Sequence, residues 1–223
     1  MKDLKTYLLE EVEPKLIEPC VTFDMIGAKC RLGAMHPSYD ETLWRLINQS
    51  NPGLGRRGPV GFDSEVDFVK RISERGASIK VPDNITFCIF TLDHKLPIGT
   101  IGLYRKEDAQ GKFFWTTGTF IGRPWQGQKI GTDAKMLLLH WVSKNFTHEE
   151  VSEILSTVYS INPASAAVQK KCGYELVRED KHVVRIRNGH KTHELILRVI
   201  PGAHWLEKKW NPYASKHGLE VWS

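Results

Sequence analysis

Cysteine is scarce in this chain, and the spacing of the few that are present argues against a structural metal. No two of the four cysteines stand at the Cys-x-x-Cys spacing of a zinc site: Cys20, Cys30, Cys88 and Cys172. We therefore predict no metal site. Their number and spacing do not suggest a disulfide framework, so we interpret them as reduced thiols in a reducing compartment.

Long apolar segments are also lacking. No run approaches the roughly 20 apolar residues that a membrane-spanning helix needs. Residues 1–18 are charged throughout and do not contain the apolar core of a signal peptide. We therefore expect a cytoplasmic protein that does not associate with membranes.

Charge of one sign is not concentrated in the chain. The formal net charge is +5, and acidic residues are interspersed among the lysines and arginines. So mild an excess gives little support to nucleic-acid binding, which would need basic side chains clustered on one face and a steep dependence on salt. It favours smaller anionic partners, such as the phosphates of a cofactor.

What the chain does contain is an alternation of helical and strand patterns that suits one domain. Apolar periodicity predicts helices over residues 39–49, 64–75, 130–145 and 163–171. Alternating, β-rich segments predict a strand pair within 22–35 and strands over 85–92, 98–104, 113–121, 154–161, 174–186 and 193–200. This order predicts an α/β (α+β) fold with a single central sheet.

The pattern divides the chain into three regions. We interpret residues 1–20 as an N-terminal helical extension, residues 21–200 as the domain itself and residues 201–223 as a C-terminal tail. The tail contains Trp205, Trp210 and Trp222, so we expect it to pack back on the domain. A role of this tail in a homodimer stays open.

The first segment with a chemical signature is the junction between a strand and a helix, from Phe120 to Thr132. Its glycines allow backbone N–H groups to converge, and the start of a helix adds a partial positive charge. Arg123 and Lys129 would add full charges beside them. The segment therefore suits a pyrophosphate. The alternative is a glycine-rich turn that only redirects the chain, and the residues alone leave both readings open.

The second segment runs from Asn162 to Tyr174. Asn162 suits the N-cap of a helix, Pro163 its first residue and Gly173 its C-terminal stop. Local structure therefore explains each of these residues without any function.

Taken together, the two segments resemble the GNAT superfamily of acetyltransferases. Residues 126–131 match the family's R/Q-x-x-G-x-G/A signature except at Lys129, where a glycine is usual. The second segment matches N-x-x-S/A…K-x-G-F/Y at five positions: Asn162, Ser165, Lys171, Gly173 and Tyr174. The N-x-x-S form and the long N-terminal region look most like the branch that acetylates protein N-termini, including ribosomal ones, and some small amines.

The resemblance implies a fold, a donor and an acceptor. The fold would be a GNAT-like central sheet, mixed but mostly antiparallel, flanked by helices. The donor would be acetyl-CoA, and the acetyl group would pass directly to a primary amine on a protein N-terminus or a small molecule.

The resemblance also implies a binding role for individual residues. Phe120 and Ile121 would pair with the pantetheine arm, and one of their N–H groups would polarise the thioester carbonyl.

The remaining cofactor residues follow from the same resemblance. The pyrophosphate would be held by Arg123, Gln126, Gly127, Gln128, Lys129, Ile130, Gly131 and Thr132. Asn162 and Ser165 would border the thiol end of the cofactor.

The match is weaker at the catalytic positions. Where many relatives have a tyrosine acid this chain has Gln169, and where some have a glutamate base it has Thr157. Ser165 is the remaining thiol-side hydroxyl, although a serine in a first helical turn is also explained by capping. Tyr159 and Glu194 are the candidates for the base. These departures support an alternative, a relative that binds acyl-CoA as a sensor or interaction module without catalysing transfer.

Overall fold

The computed structural model describes residues 24–35, 39, 42–43, 45–46, 84–92, 96–108, 110–187 and 190–222. The predicted extension over 1–20 and the predicted helix over 64–75 lie outside these ranges. Of the helix predicted over 39–49, the structure describes Leu43 and Leu46 among others, and both are helical and buried.

One sheet of eight strands forms the centre of the domain, in the order β1-β2-β3-β4-β5-β6-β8-β7. Neighbouring strands are antiparallel except β5 and β6, which are parallel. The mixed, mostly antiparallel sheet is therefore confirmed. The strands are β1 Asp24–Ile26, β2 Cys30–Ala34, β3 Asn84–Thr91, β4 Pro97–Glu107, β5 Phe113–Ile121, β6 Ile154–Tyr159, β7 Glu175–Arg187 and β8 His190–Val199.

Two helices connect the later strands. Helix α1, Ile130–Asn145, crosses from β5 to the parallel strand β6, and helix α2, Pro163–Lys171, follows β6. The predicted boundaries of both helices agree with the structure. Helix α1 packs against the sheet with an apolar stripe that joins the main core, including Ala134, Leu138 and Val142.

The C-terminal region is helical rather than irregular. It comprises a short α-helical turn Ala203–Trp205, a π-helical segment Leu206–Trp210 and a helix Asn211–His217. Trp205 and Trp210 are buried in the main core, and the Trp205 indole N–H donates to the carbonyl of Cys172 at 2.9 Å. These two indoles are therefore not available to a second chain.

A buried carboxylate joins three distant parts of the fold. Asp133, on the first turn of α1, is 1% exposed. Its Oδ2 accepts hydrogen bonds from the backbone N–H groups of Lys29 at 2.7 Å and Cys30 at 2.9 Å, in the β1–β2 turn. Its Oδ1 accepts from the N–H of Ala28 at 3.1 Å and from the hydroxyl of Tyr213 in the C-terminal helix.

This carboxylate also dictates a glycine. A Cβ on Gly27 would lie 2.5 Å from Asp133 Oδ2, which is closer than any real contact. The turn can therefore wrap around the carboxylate only because residue 27 has no side chain.

We expect Asp133→Ala to reduce the free energy of unfolding by about 3 kcal/mol or more, because three buried N–H groups would lose their acceptor. Tyr213→Phe removes only one donor and should cost about 1–2 kcal/mol. Urea unfolding of the two variants and the parent measures both values. Equal losses of unfolding free energy in the two variants would show that the carboxylate stabilises the fold no more than the Tyr213 hydroxyl does.

Candidate functional site

An opening inside the sheet separates β5 from β6. The two strands pair only at Trp115 with Ile154 and at Thr116 with Leu155. Beyond these pairs β5 stays bonded to β4 as far as Ile121, and β6 stays bonded to β8 as far as Tyr159. Past Thr116, the edge of β5 that faces β6 therefore has no strand partner among the described residues and can hydrogen-bond an extended ligand.

The residues predicted to contact the pantetheine arm lie along this opening. Phe120 and Ile121 belong to the part of β5 that has no β6 partner. Thr117 is the first residue of that part. From Ile121 back to Thr117 the strand covers about 13 Å, which is comparable with the length of a pantetheine arm.

The loop after β5 presents a run of unpaired amides. Among the described residues, none accepts a hydrogen bond from the backbone N–H groups of residues 127–131. Bonding resumes at Thr132 and Asp133, whose N–H groups both donate to the carbonyl of Lys129 at 3.1 Å. Five successive donors at the start of a 16-residue helix form a strong anion-binding site.

Two glutamine side chains hold this loop in shape. Gln126 donates from Nε2 to the carbonyl of Ile121 at 2.8 Å, and Gln128 donates from Nε2 to the carbonyl of Pro124 at 2.9 Å. These two side chains therefore brace the loop against the end of β5 and the turn Arg123–Trp125. The side-chain amides are thus used within the loop, and the backbone N–H groups are the donors left for a phosphate.

Gly127 leaves open space at the centre of the loop. Its φ is 77°, and a Cβ added there would meet no atom within 4 Å. The loop therefore has room for a group as large as a phosphate beside the unpaired amides.

Lys129 departs from the glycine of the family signature, and its backbone still adopts a glycine-like conformation. Its φ of 66° and ψ of 4° are left-handed, and among the described residues it is the only non-glycine residue with positive φ. A left-handed lysine costs roughly 1–2 kcal/mol. The amide run therefore keeps its geometry at the expense of backbone strain, and the exposed side chain of Lys129 leaves the loop open.

Helix α2 begins with the cap that the sequence predicts. The side chain of Asn162 accepts a hydrogen bond from the N–H of Ser165 at 3.1 Å. Helix capping therefore explains the side chain of Asn162. The hydroxyl of Ser165 takes no part in the cap, so capping does not explain it. No described residue hydrogen-bonds this hydroxyl.

Gln169 lies one turn beyond Ser165, on the same side of α2. It is 5% exposed, and its Oε1 has no hydrogen-bond partner among the described residues. Helix α2 also meets the amide loop, since a Cβ on Gly131 would lie 3.3 Å from Ile121 Cδ1 and 3.9 Å from Val168 Cγ2. Ser165 and Gln169 are thus on a helix that packs against the loop end of the opening.

The two candidate bases lie on the other face of the sheet. Tyr159 and Glu194 are cross-strand partners on β6 and β8, so their side chains are neighbours on one face. The alternate residues of β6, Ile154 and Val158, point into the core beneath α1. The predicted catalytic residues therefore divide between two faces, with Ser165 on the helical side and Tyr159 and Glu194 on the opposite side.

A cleft of about 520 Å³ runs along this opposite face. Its lining includes Thr157, Leu155 and Ile196 together with the charged side chain of Arg178. Thr157 lies two residues past the last β5–β6 pair, so the cleft reaches the closed end of the opening. The cleft therefore approaches the closed end of the opening from this face of the sheet.

A buried lysine lies beneath the same point, and sequence reasoning missed it. Lys135 of α1 is 1% exposed, and its Nζ donates to Thr117 Oγ1 at 2.7 Å. Thr117 Oγ1 lies 3.3 Å from the hydroxyl of Tyr174. Burial lowers the pKa of Lys135 from 10.5 to about 8. No carboxylate of the described residues forms an ion pair with Lys135.

The missed signal was present in the helical periodicity. Residues 135, 138, 139 and 142 recur at helical spacing, and the last three are apolar. A lysine on such a stripe is buried unless its ammonium can reach solvent. Its place in the stripe could therefore have identified Lys135 as a buried charge.

Comparison with known families identifies this arrangement. Residues 41–175, more than half of the chain, match the family model of the GNAT acetyltransferase domain. The chain therefore belongs to the GNAT acetyltransferase family, whose acyl donor is acetyl-CoA. The predictions of the family and of its fold are confirmed. No curated protein sequence matches the chain.

Solved structures share the fold at low sequence identity. A Salmonella typhimurium acetyltransferase that modifies the N-terminal serine of ribosomal protein L7/L12 is 16% identical, with a TM-score of 0.61 over 77% of this chain and 95% of that one. The ribosomal L7/L12 α-N-protein acetyltransferase RimL with coenzyme A is 16% identical, with a TM-score of 0.62 over 78% and 94%. The microcin C7 self-immunity acetyltransferase MccE with acetyl-CoA and AMP is 20% identical, with 0.61 over 77% and 92%.

Two further properties follow from the described ranges. Every helix there is too short or too polar to cross a bilayer. Within the same ranges, no group of three or more histidine, cysteine or acidic side chains is arranged to hold a metal ion.

The strain at Lys129 can be separated from its charge by two substitutions. Lys129→Ala and Lys129→Gly both remove the ammonium, and only glycine relieves the left-handed backbone. We expect both to weaken acetyl-CoA binding by about tenfold, with a smaller loss at high salt. Lys129→Gly should be about 1 kcal/mol more stable than Lys129→Ala. Calorimetric titration and urea unfolding give the two quantities, and tighter binding by either variant would show that the lysine obstructs the loop.

Lys135 should make stability rise with pH above 8. Its folded pKa, about 8, lies below the unfolded value of 10.5, so between these values the unfolded chain binds more protons. Relative to Lys135→Met, the parent should gain about 2 kcal/mol of unfolding free energy between pH 7 and 9.5. Burial raises the pKa of Cys172 to about 12 and that of Tyr174 further, but both groups are present in both proteins. If the unfolding free energies of the parent and of Lys135→Met change in parallel with pH, Lys135 does not carry a buried ammonium.

Proposed function

We propose that this chain transfers the acetyl group of acetyl-CoA directly to a primary amine, on a protein N-terminus or a small molecule. The observation that carries the proposal is the run of unpaired amides over residues 127–131 at one end of an opening between two parallel strands. The amides suit the pyrophosphate of acetyl-CoA, and the strand edges suit its pantetheine arm.

The opening would also position the thioester. The arm would run along β5 past Ile121 and Phe120, and a backbone N–H farther along this edge, toward Thr117, would donate to the thioester carbonyl and stabilise the oxyanion that forms on attack. Asn162 and Ser165 would border the cofactor from α2, which packs against the loop end of the opening. Arg123, Lys129 and Thr132 would complete the phosphate site.

The acceptor amine would approach from the other face. The cleft beside Thr157 leads to the closed end of the opening, and Tyr159 and Glu194 lie on that face. An amine must lose a proton before or during attack, so a carboxylate or a hydroxyl there could receive it directly or through water. The helical face would then serve the departing thiol and the opposite face would serve the amine.

The kind of amine is suggested by structural neighbours of the same fold. Two of them act on the N-terminus of a ribosomal protein, and the N-x-x-S segment resembles that branch. The cleft is lined by charges of both signs, among them Arg105, Arg178, Glu149 and Glu153. Such a lining suits a polar peptide end or a zwitterionic amine better than an apolar one.

The setting of the protein is also part of the proposal. We place residues 21–200 in the catalytic domain, with residues 1–20 as an extension and residues 201–223 packed on the domain through their helices. Cys30, Cys88 and Cys172 are free and buried, which suits a reducing cytoplasm. A homodimer would have to use a surface other than Trp205 and Trp210.

A degenerate module that binds acyl-CoA is the second candidate, because Gln169 and Thr157 replace titratable residues of relatives. It predicts binding without transfer. The first candidate is favoured by the cleft beside Thr157, since a module that only binds acyl-CoA has no need of a route for an amine to the closed end of the opening.

Acetyl-CoA should raise the melting temperature of the protein, with about 2.7 kcal/mol of added stability at 100 times its dissociation constant. Gly127→Asp should abolish most of this gain, because a carboxylate would stand beside the pyrophosphate. Gly127→Asn is the matched control, since asparagine has the same shape and also tolerates positive φ. If the two variants bind acetyl-CoA equally well, the loop is not the phosphate site.

Transfer itself is tested by following thiol release with a panel of peptides and small amines. We expect release that depends on both acetyl-CoA and one class of amine, together with an acetylated product in the mass spectrum. Tight binding of acetyl-CoA with no release for any amine would favour the degenerate module.

A further inference from the structure

Lys135 is a buried cation that the fold leaves without a counter-ion. Its Nζ has one hydrogen-bond acceptor among the described residues, Thr117 Oγ1, although an ammonium carries three donors. It also lies 5.7 Å from the centre of the Tyr174 ring, a contact that stabilises a cation weakly. A buried ammonium with so few partners is destabilising unless something else at the site uses its charge.

The groups around Lys135 do not neutralise it. On its own helix, Asp133 directs both carboxylate oxygens toward the β1–β2 turn and Tyr213. At the end of α2, Cys172 stays a neutral thiol because burial raises its pKa to about 12. Lys209, which approaches Gly173 from the C-terminal segment, adds further positive charge. Among the described residues, no carboxylate is therefore paired directly with Lys135.

The one acceptor of Lys135 lies where the opening begins. Thr116 is the last β5 residue that pairs with β6, and Thr117 is the next. The side chain of Thr117 is half-buried, with Lys135 beneath it and the opening beside it. A pantetheine arm that starts at the amide loop and follows β5 would bring its sulfur to this residue.

We propose that Lys135 is a positioning residue for the departing thiolate: its ammonium holds the Thr117 hydroxyl at the closed end of the opening and supplies, through that hydroxyl, the proton that the sulfur needs. This inference rests on the proposed acetyl transfer. Gln169 stands where many relatives have a tyrosine acid. Lys135, acting through Thr117, would supply the acid that is missing at that position.

The proton inventory of this step is balanced. The amine nitrogen attacks the carbonyl carbon, and when the tetrahedral intermediate collapses the C–S bond breaks with its electron pair on sulfur. The Thr117 hydroxyl gives its proton to sulfur and takes one from Lys135 Nζ. The surplus proton of the amine leaves toward Glu194 or water, and solvent restores the ammonium of Lys135.

Lys135 is suited to this step by its acidity. Its pKa of about 8 is close to the value of roughly 8.5 for a thiol. Proton transfer is most effective when donor and acceptor are matched near the working pH. Thr117 alone would be too weak an acid, and an exposed lysine would hold its proton too firmly.

The inference can be tested without knowing the acceptor, by titrating the thiol of bound coenzyme A through the ultraviolet absorbance of its thiolate. The complex with desulfo-coenzyme A serves as the blank. In the parent we expect the pKa of the bound thiol to lie about one to two units below that of free coenzyme A, because a cation stands behind Thr117. Lys135→Met and Thr117→Val should each abolish most of this shift.

Matched variants separate a functional role from a structural one. Lys135→Arg keeps the charge and should keep the shift, and Lys144→Met, on an exposed position of the same helix, should leave it unchanged. Where an amine substrate is available, Lys135→Met should lower kcat by about 100-fold while the KM for acetyl-CoA changes less than threefold. In the parent, kcat should fall above pH 8 because Lys135 loses its proton. In Lys135→Arg this fall should be absent, because a guanidinium stays protonated.

The outcomes distinguish the inference from the proposed function. A bound thiol with the same pKa in the parent, Lys135→Met and Thr117→Val overturns the role of Lys135. A lowered thiol pKa that depends on Lys135, in a protein that transfers acetyl to no amine, supports the inference and refutes the acceptor proposal. If Lys135→Met does not fold, Lys135→Gln, which is polar but uncharged, gives the same test.

Discussion

The carboxylate of Asp133 is the interaction on which the arrangement of the site depends. It accepts four hydrogen bonds, three from the β1–β2 turn and one from Tyr213, so a charge that would be costly to bury is fully satisfied. Because Asp133 lies on the first turn of α1, the same bonds fix where that helix begins. The position of the unpaired amides over residues 127–131 relative to β5 follows from that start.

The second buried charge on α1 has the opposite character. Lys135 lies two residues from Asp133, but it faces the sheet and finds a single acceptor in Thr117. Its lowered pKa, about 8, corresponds to roughly 3 kcal/mol of unfavourable burial at neutral pH. One helix thus holds a satisfied charge that stabilises the fold and an unsatisfied one that destabilises it. The unsatisfied charge lies beside the opening, where a departing thiolate would form.

Sequence reasoning located the parts of the site that depend on local structure. The glycines around the loop and the cap at Asn162 have local signatures, and the order of strands and helices followed from periodicity. The parts that were missed depend on contacts between distant residues. Lys135 reaches the opening only through its hydrogen bond to Thr117, 18 positions away, and Gln169 is notable only because its carboxamide oxygen is buried without a partner among the described residues. Neither property is visible in a single sequence.

The departures from the family signature differ in physical kind, and this bears on whether the chain is a catalyst. At Lys129 the backbone accepts a left-handed strain, so the phosphate loop keeps its geometry although its glycine is lost. At Gln169 a titratable group is replaced by an amide, whose buried Oε1 still lacks a partner. An unpartnered buried acceptor costs about 1–3 kcal/mol, and an apolar side chain of similar size would avoid that cost. The first departure therefore preserves the geometry of the amide loop, whereas the second replaces a titratable group with an amide oxygen that no described residue hydrogen-bonds.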